Sequence, residues 1–278
     1  MAIWSRLTKS WTLSFLAEHC RYMSLPSALR LRDFALRRAR NELPVDKLLR
    51  LHMRRPFAGD IWLRQAGSDE YTFHEIVTKQ VYARLSESVP GCRWILDIGG
   101  NIGLASRFFA DAYPESTLFV VEPDAANYAL LTRNLAGLIR SRRCRARRVA
   151  VWGSDCLLAV TPPPQGNRFD AIQVVKANPG QGDQTVEGVS MAEVLADAGF
   201  PHVDLMKVDI EGSEIELFKS DLGWLNRVNA IAIEFHQNSR SESQFDQIME
   251  RHGFAIDDSE SHTVIATRMN KTAPGVFH

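Results

Sequence analysis

No apolar run in the 278-residue chain approaches the ~18–20 residues that a membrane-spanning helix needs. The N-terminus also lacks the compact apolar core and small-residue cleavage site of a secretion signal, and a cytoplasmic protein is expected. Cysteine is scarce. Cys20, Cys92, Cys144 and Cys156 show no paired spacing, so neither a zinc site nor a disulfide framework is expected, and a reducing compartment suits them. Net charge is absent too: the formal total is +0, and global charge argues for no class of partner. The chain has no G-x-G-x-x-G turn of the kind that cradles a dinucleotide pyrophosphate.

What the chain does have is a compact glycine turn at Gly99-Gly100-Asn101-Ile102-Gly103. Trp94, Ile95, Leu96 and Ile98 precede it as a short apolar run, which predicts a strand buried on both faces. Leu104 to Tyr113 then has a helical pattern. Strand, glycine turn and helix make a nucleotide-binding unit, and Gly99 and Gly103 let the backbone turn tightly and approach a ligand. Asp97 would repel a pyrophosphate but attract a ligand with a cationic end, and S-adenosylmethionine carries both an ammonium and a sulfonium. The alternative for Asp97 is a turn cap. Glu122 ends the next apolar strand, Leu118 to Val121, where a carboxylate can accept from two ribose hydroxyls. Pro123 and Asp124 then start a helix, with Asp124 as its N-cap.

These residues resemble the FkbM-type methyltransferases, a family of class I S-adenosylmethionine enzymes. The matching pieces are Leu96 to Gly103, Val121 to Asp124, Asn127 with Leu131 and Asn134, Asp204 to Glu214, and Ile233 to His236. Lys207-Val-Asp-Ile-Glu-Gly-Ser-Glu214 is the most specific of them. One departure is Gly100, where the family more often has alanine; a slightly looser turn is expected. The resemblance implies cofactor contacts at Asp97, Gly99, Asn101, Gly103, Glu122, Pro123 and Asp155, an O-methylated small-molecule acceptor, and a cover over the site from residues near Tyr71 to Leu85. Phe73, Glu75 and Tyr82 in that cover are expected first as packing residues.

The strand–helix alternation predicts a doubly wound, Rossmann-like α/β sheet of about seven strands with a C-terminal antiparallel hairpin and an N-terminal helical extension. Residues 1–55 form a basic helical extension, 56–270 the methyltransferase domain and 271–278 a tail. The extension carries roughly a dozen Lys and Arg against about four Asp and Glu. Ile3, Trp4, Leu7, Trp11 and Phe15 recur at helical spacing, and Ser27 to Asn41 makes a second, arginine-rich helix. A helical extension packed on the catalytic domain is the plain reading; peripheral contact with an anionic membrane is the alternative. Val149 to Trp152 reads as the third core strand, and the arginines of 140–148 as a solvated helix end and loop. Leu157 to Val160 and Ala171 to Val175 flank a Pro-rich tip as an inserted hairpin, with a Gly-rich loop after it, on the acceptor side.

Asp97, Glu122, Asp209, Glu211 and His236 all fall at strand ends, where such sheets bind ligands. His236 is the first candidate for a base, because an ordinary imidazole titrates near neutrality; Asp209 and Glu211 follow. These residues, with Glu234, are too scattered in sequence for a metal motif, and no metal is expected. The leading expectation is an O-methyltransferase acting on a sugar or secondary-metabolite hydroxyl. The rivals are an NAD-dependent oxidoreductase, a non-catalytic S-adenosylmethionine-binding module and an RNA methyltransferase. The oligomeric state is open.

Overall fold

In a computed structural model, residues 13–40, 42, 47–65, 68–161, 172–177, 185–259 and 263–269 are described. The amphipathic residues Ile3 to Trp11, the Pro-rich tip 162–167, the loop 178–183 and the tail 271–278 lie outside them.

The strands are β1 (Leu48–Met53), β2 (Gly59–Arg64), β3 (Trp94–Ile98), β4 (Thr117–Val121), β5 (Cys144–Arg147), β6 (Ala150–Val151), β7 (Cys156–Thr161), β8 (Gln173–Lys176), β9 (Thr185–Val189), β10 (Leu205–Val208), β11 (Ala230–Ile233), β12 (Phe254–Asp257) and β13 (Val264–Arg268). Seven of them form the central sheet, in the order β12-β13-β11-β10-β3-β4-β5. β5, β4, β3, β10 and β11 run parallel, and β13 and β12 return antiparallel. This is the doubly wound sheet with a C-terminal antiparallel pair that the alternation predicts. Its strand order reverses between β3 and β10, so a crevice opens beyond their carboxyl ends.

Each face of this sheet has its own core. Ile95, Leu118, Val120 and Leu205 pack on one side with Phe109 and Tyr82. Leu96, Ile98, Phe119, Met206 and Val208 pack on the other with Leu217, Phe245 and Met249. The central strands are therefore apolar at almost every position, as parallel strands covered on both faces must be. Asp97 and Lys207 are the polar breaks in that pattern.

The N-terminal helix Leu25–Ala39 belongs to the first core. Ala28, Leu31 and Phe34 are at most 4 % exposed, while Arg37 and Arg38 sit in its last turn, where the helix dipole favours cations. Leu25 and Leu29 stay exposed on its outer side. β1 and β2 pair antiparallel, so residue 55 lies between the two strands of one hairpin. Leu51, Met53, Ile61 and Leu63 from that hairpin are buried.

Several elements depart from the sequence expectation. The third strand of the central sheet is Cys144–Arg147, not Val149 to Trp152. The charged segment wins because it is an edge strand, where outward arginines cost little and discourage pairing with another chain. Three arginines of this segment are tied to neighbours, while Arg140, Arg142 and Arg148 stay exposed. Arg143 donates to the carbonyls of Ala110, Tyr113 and Ser116, Arg145 to that of Ala198, and Arg147 binds Glu187, Glu193 and Asp197. Ala150 and Val151 pair with β9 in a separate four-stranded sheet, β6-β9-β7-β8. The cover expected near Tyr71 to Leu85 is built from a short α-turn, Asp69–Phe73, a π-helix, His74–Lys79, and a second helix, Ala83–Ser88. The helix that Asp124 caps runs over Ala125–Asn134, is interrupted at Leu135, and continues as a separate turn, Ala136–Arg140. Ser190 caps Met191–Ala198 by accepting from the Glu193 N–H at 3.2 Å.

Candidate active site

The glycine turn is held from both neighbouring strands. Gly99 and Gly100 N–H both donate to the Val121 carbonyl, at 3.0 and 2.9 Å, and Asp209 N–H donates to Ile98 at 3.0 Å. Gly99 has φ +82°, and a Cβ there would overlap the Asp209 carbonyl oxygen. Only glycine fits that crossing. Gly103 also has positive φ, +84°, and caps the helix Leu104–Ala112 against Leu131 and Leu135. Gly100 does not loosen the turn. Val120 and Leu131 fill the space that a Cβ would take, with Leu131 Cδ1 only 2.7 Å from its position.

Beneath the turn lies a buried charge pair. Lys207 is 3 % exposed and stands opposite Asp97 in the parallel register of β10 and β3. Its Nζ donates to the Gly99 carbonyl at 2.6 Å and lies 3.3 Å from Asp97 Oδ1 and 3.4 Å from Asp209 Oδ2. Ser106 Oγ donates to Asp97 Oδ2 at 2.5 Å. Burial opposes the ammonium, but Asp97 and Asp209 outweigh it and hold the lysine above its ordinary range. Asp97 is 0 % exposed and lines neither cavity described below. The direct contact expected between Asp97 and a cationic ligand does not fit this placement; Asp97 anchors the lysine that braces the turn.

Glu122 is placed differently. It ends β4 and forms the wall of a cleft shared with Ile98, Gly99, Asn101, Pro123, Asp209 and Glu211. Its Oε2 accepts from the Asn101 N–H at 2.8 Å, and its Oε1 accepts from the Asp124 N–H at 3.0 Å. Burial pushes its carboxyl up to about 8 against the pull of those two N–H groups. The opposite wall is apolar and comes from the second sheet and the residues adjoining its strands: Val149, Ala150, Val151, Ile172 and Val174. Sequence reasoning missed this wall, because it placed 149–152 in the central sheet and the insertion on the acceptor side. Asp155 is exposed in the turn before β7 and stands outside the cleft.

A second cavity opens on the other side of the turn. Tyr71, Thr72, Glu75, Ile76 and Tyr82 cover it, and Lys207, Glu234 and His236 lie at its base. Asn101, Asp209 and Glu211 line both cavities. Tyr82 and Glu75, ranked first as packing residues, thus face this space as well, whereas Phe73 is buried in the core.

His236 is the centre of a carboxylate ring. Nδ1 meets Glu214 Oε1 at 2.8 Å, and Nε2 faces Glu211 at 3.5 Å and Asp209 and Glu234 at 3.8 Å each. Burial opposes charge on the imidazole, but the Glu214 hydrogen bond and the Glu211 and Asp209 carboxylates raise it to about 9. An imidazole so placed is protonated at neutral pH, which removes the reason for expecting an ordinary near-neutral base. Glu214, 0 % exposed, and Glu234 complete a cluster that the sequence showed only as separate strand-end and helix-start acids. Asp209, Glu234 and His236 present one ligand atom each, all within 4.8 Å of one another. The scatter in sequence that argued against a metal is undone by the parallel alignment of β10 and β11.

The Methyltransferase FkbM domain matches residues 97–256, more than half of the chain. The chain belongs to the FkbM methyltransferase family. Among curated proteins, methyltransferase sdnD of Sordaria araneosa is 26 % identical over 215 residues, covering 67 % of this chain and 82 % of that one. The 31-O-demethyl-FK506 methyltransferase FkbM of Streptomyces tacrolimicus is 22 % identical over 235 residues, covering 75 % and 90 %. Among solved structures, methyltransferase FkbM from Methylobacillus flagellatus KT superposes with a TM-score of 0.45 at 15 % identity, over 64 % of this chain and 43 % of that one.

The cofactor of the family is S-adenosyl-L-methionine. The cleft fits its nucleoside end. Glu122 offers paired carboxylate oxygens at the tip of β4, Gly99 brings the backbone close, and Val149, Val151, Ile172 and Val174 give an apolar slot for a flat base. Asn101, Asp209 and Glu211 lie where that cleft meets the second cavity.

Proposed function

We propose that this methyltransferase acts on a hydroxyl of a sugar or secondary metabolite. The observation that carries this is the pair of cavities meeting at Asn101, Asp209 and Glu211: one fits a nucleoside, and the other is lined by hydrogen-bonding groups from Tyr71, Thr72, Glu234 and His236. The name of the Streptomyces relative, 31-O-demethyl-FK506 methyltransferase, supports a hydroxyl acceptor.

Glu122, Gly99, Asn101 and Pro123 would hold the cofactor, which supplies an activated methyl group when bound. The remaining work falls to this chain's own residues. Tyr71, Thr72 and Tyr82 cover the second cavity and limit water, and the acceptor oxygen must come within ~3–3.5 Å of the methyl carbon. Asp209 and Glu211 reach both cavities, so the acceptor's proton has a carboxylate to leave to. His236, fixed by Glu214, orients that carboxylate pair.

A nucleic-acid substrate is less favoured. Arg143, Arg145 and Arg147 spend part of their guanidinium groups on neighbouring carbonyls and carboxylates, which leaves mainly the exposed Arg140, Arg142 and Arg148 for a phosphate backbone. The test is calorimetry with S-adenosylhomocysteine, followed by a screen of hydroxylated metabolites with a labelled methyl donor. Tight binding and label transfer to a hydroxyl are expected; label on nitrogen or carbon would overturn the O-acceptor.

A further inference from the structure

A third cavity adjoins the two already described. Trp152, Gln173, Val175, Gln237, Asn238 and Glu242 line it, with Glu211 and His236 on its rim. Val174 and Glu211 also line the cofactor cleft, and Glu211 and His236 also line the second cavity. All three spaces therefore meet at Glu211, which the turn after β10 holds at φ +51°. The second cavity holds ≈ 250 Å³ and the third ≈ 260 Å³. Each falls short of the ~300–1,000 Å³ of an ordinary small-molecule site, and the two together lie within it.

The third cavity has its own chemistry. Its polar groups are mainly carboxamides: Gln173 at the start of β8, and Gln237 and Asn238 after β11. Gln173 Nε2 lies over the Gly212 turn, 4.0 Å from the place where a Cβ would stand. Gln237 is held in the left-handed region, φ +53°, a costly conformation for a residue with a side chain. Asn238 occupies the N-cap position of Ser239–Glu242, yet its side chain caps nothing. No described residue engages any of the three amides. A carboxamide both donates and accepts, as sugar hydroxyls do. Val174, Val175 and Ile215 add apolar surface beside them, and Val175 is 43 % exposed. Among the described residues no Lys or Arg lines this cavity, whereas Glu211 and Glu242 do, so a phosphate or carboxylate would be repelled. His236 is already enclosed by carboxylates.

We propose that the third cavity binds a neutral sugar unit next to the one that is methylated, with Gln173, Gln237 and Asn238 as its hydrogen-bonding groups. The acceptor is then at least two units long. Its reacting hydroxyl stands in the second cavity, and the neighbouring ring crosses the rim at Glu211 and His236 into the third. β8 serves both substrates, with Val174 against the cofactor cleft and Gln173 toward the acceptor. This rests on the hydroxyl-acceptor reading above and narrows it to a neutral glycoside.

The test applies the full chain, with S-adenosylhomocysteine present, to an array of neutral and acidic glycans from one to several units long. Neutral glycans of two or more units should be retained, and single sugars should not. In calorimetry with a retained glycan, Gln173→Leu and Asn238→Leu should each weaken binding about 3–10-fold, the loss of one hydrogen bond. Gln237→Ala combined with Asn238→Ala should weaken it about 10–100-fold. S-adenosylhomocysteine affinity and melting temperature should stay unchanged, since none of the three residues lines the cofactor cleft and none is buried. With a labelled methyl donor, the variants should raise KM for that glycan and leave kcat within about twofold, because these contacts are equal in ground and transition states. S-adenosylhomocysteine binding with no neutral glycan retained, with single sugars retained equally well, or with glycan affinity unmoved by every variant overturns the third cavity alone. Retention of acidic glycans only overturns it as well. Neutral-glycan binding that the variants weaken, without S-adenosylhomocysteine binding, supports the cavity and removes the cofactor reading.

Discussion

Asp97 and Glu234 both lie at the ends of parallel strands, β3 and β11 on either side of β10, yet they do opposite things. Asp97 has no exposed surface, and Lys207 and Ser106 answer its charge. Glu234 is 24 % exposed at its side chain and faces a histidine at 3.8 Å across an open cavity. One group of charges is closed and braces the glycine turn. The other is more widely spaced and borders an open cavity. The foundation should therefore answer to mutation in stability, and the open ring in binding.

The largest effect should come from removing the foundation's outer support. A chain beginning at Pro56 loses Met23, Leu31, Phe34, Leu51 and Met53, each at most 4 % exposed. Burial of each is worth ~1.5–3 kcal/mol, so the total rivals the whole stability of a domain, ~5–15 kcal/mol. Such a chain should lack a cooperative thermal transition and should not bind S-adenosylhomocysteine. A cooperative, binding-competent fragment would show that the hairpin and helix are only appended.

Next comes the closed pair. Lys207→Met removes one partner and leaves Asp97 buried without its counter-charge, a change that costs ~3–5 kcal/mol. Urea unfolding of the variant measures it. A loss below about 1 kcal/mol would mean that the pair is not a brace.

Glu122 separates the two kinds of charge, because it is buried like Asp97 but lines a cleft. Glu122→Gln should weaken S-adenosylhomocysteine by ~1.5–3 kcal/mol in calorimetry. Its pH dependence has a definite sign. The folded-state value, about 8, lies above the ordinary 4.5, so the folded chain keeps a proton that the unfolded chain releases. The stability due to this group is complete below the ordinary value and is lost as pH rises through the folded one. Between pH 5 and 8 the native chain should therefore lose on the order of 1–3 kcal/mol relative to Glu122→Gln in denaturant titrations. Parallel pH profiles would show that Glu122 ionises normally.

The strand ends were legible in the sequence because short apolar runs end at or within three residues of Asp97, Glu122, Asp209 and His236. Which of those acids faces a ligand was not. Asp97 and Glu122 each follow an apolar run, and only the register that sets Lys207 opposite Asp97 tells them apart. That register joins strands more than a hundred residues apart. The third strand was misread for a related reason: apolar content favoured Val149 to Trp152, while an edge position tolerates Cys144–Arg147 and its arginines. The π-turn at His74–Lys79, and with it the cover of the second cavity, leaves no periodic signal of its own.

The smallest expected effect marks where the cofactor cleft ends. Asp155 was expected to touch the base, but it is exposed and outside the cleft, whereas Val174 from the inserted sheet is 9 % exposed and lines it. Val174→Ala removes two methyl groups from the apolar wall. At ~0.8 kcal/mol per buried carbon, and with part of that surface already facing solvent in the free protein, about 1 kcal/mol of S-adenosylhomocysteine affinity should go. Asp155→Ala should change affinity by less than about 0.5 kcal/mol, the usual range for an exposed substitution. Because Val174 also packs with Leu158 and Val186, the melting temperature of Val174→Ala must be read beside its affinity. Affinity lost in Asp155→Ala and kept in Val174→Ala would move the base-binding wall from the inserted sheet to the turn before β7.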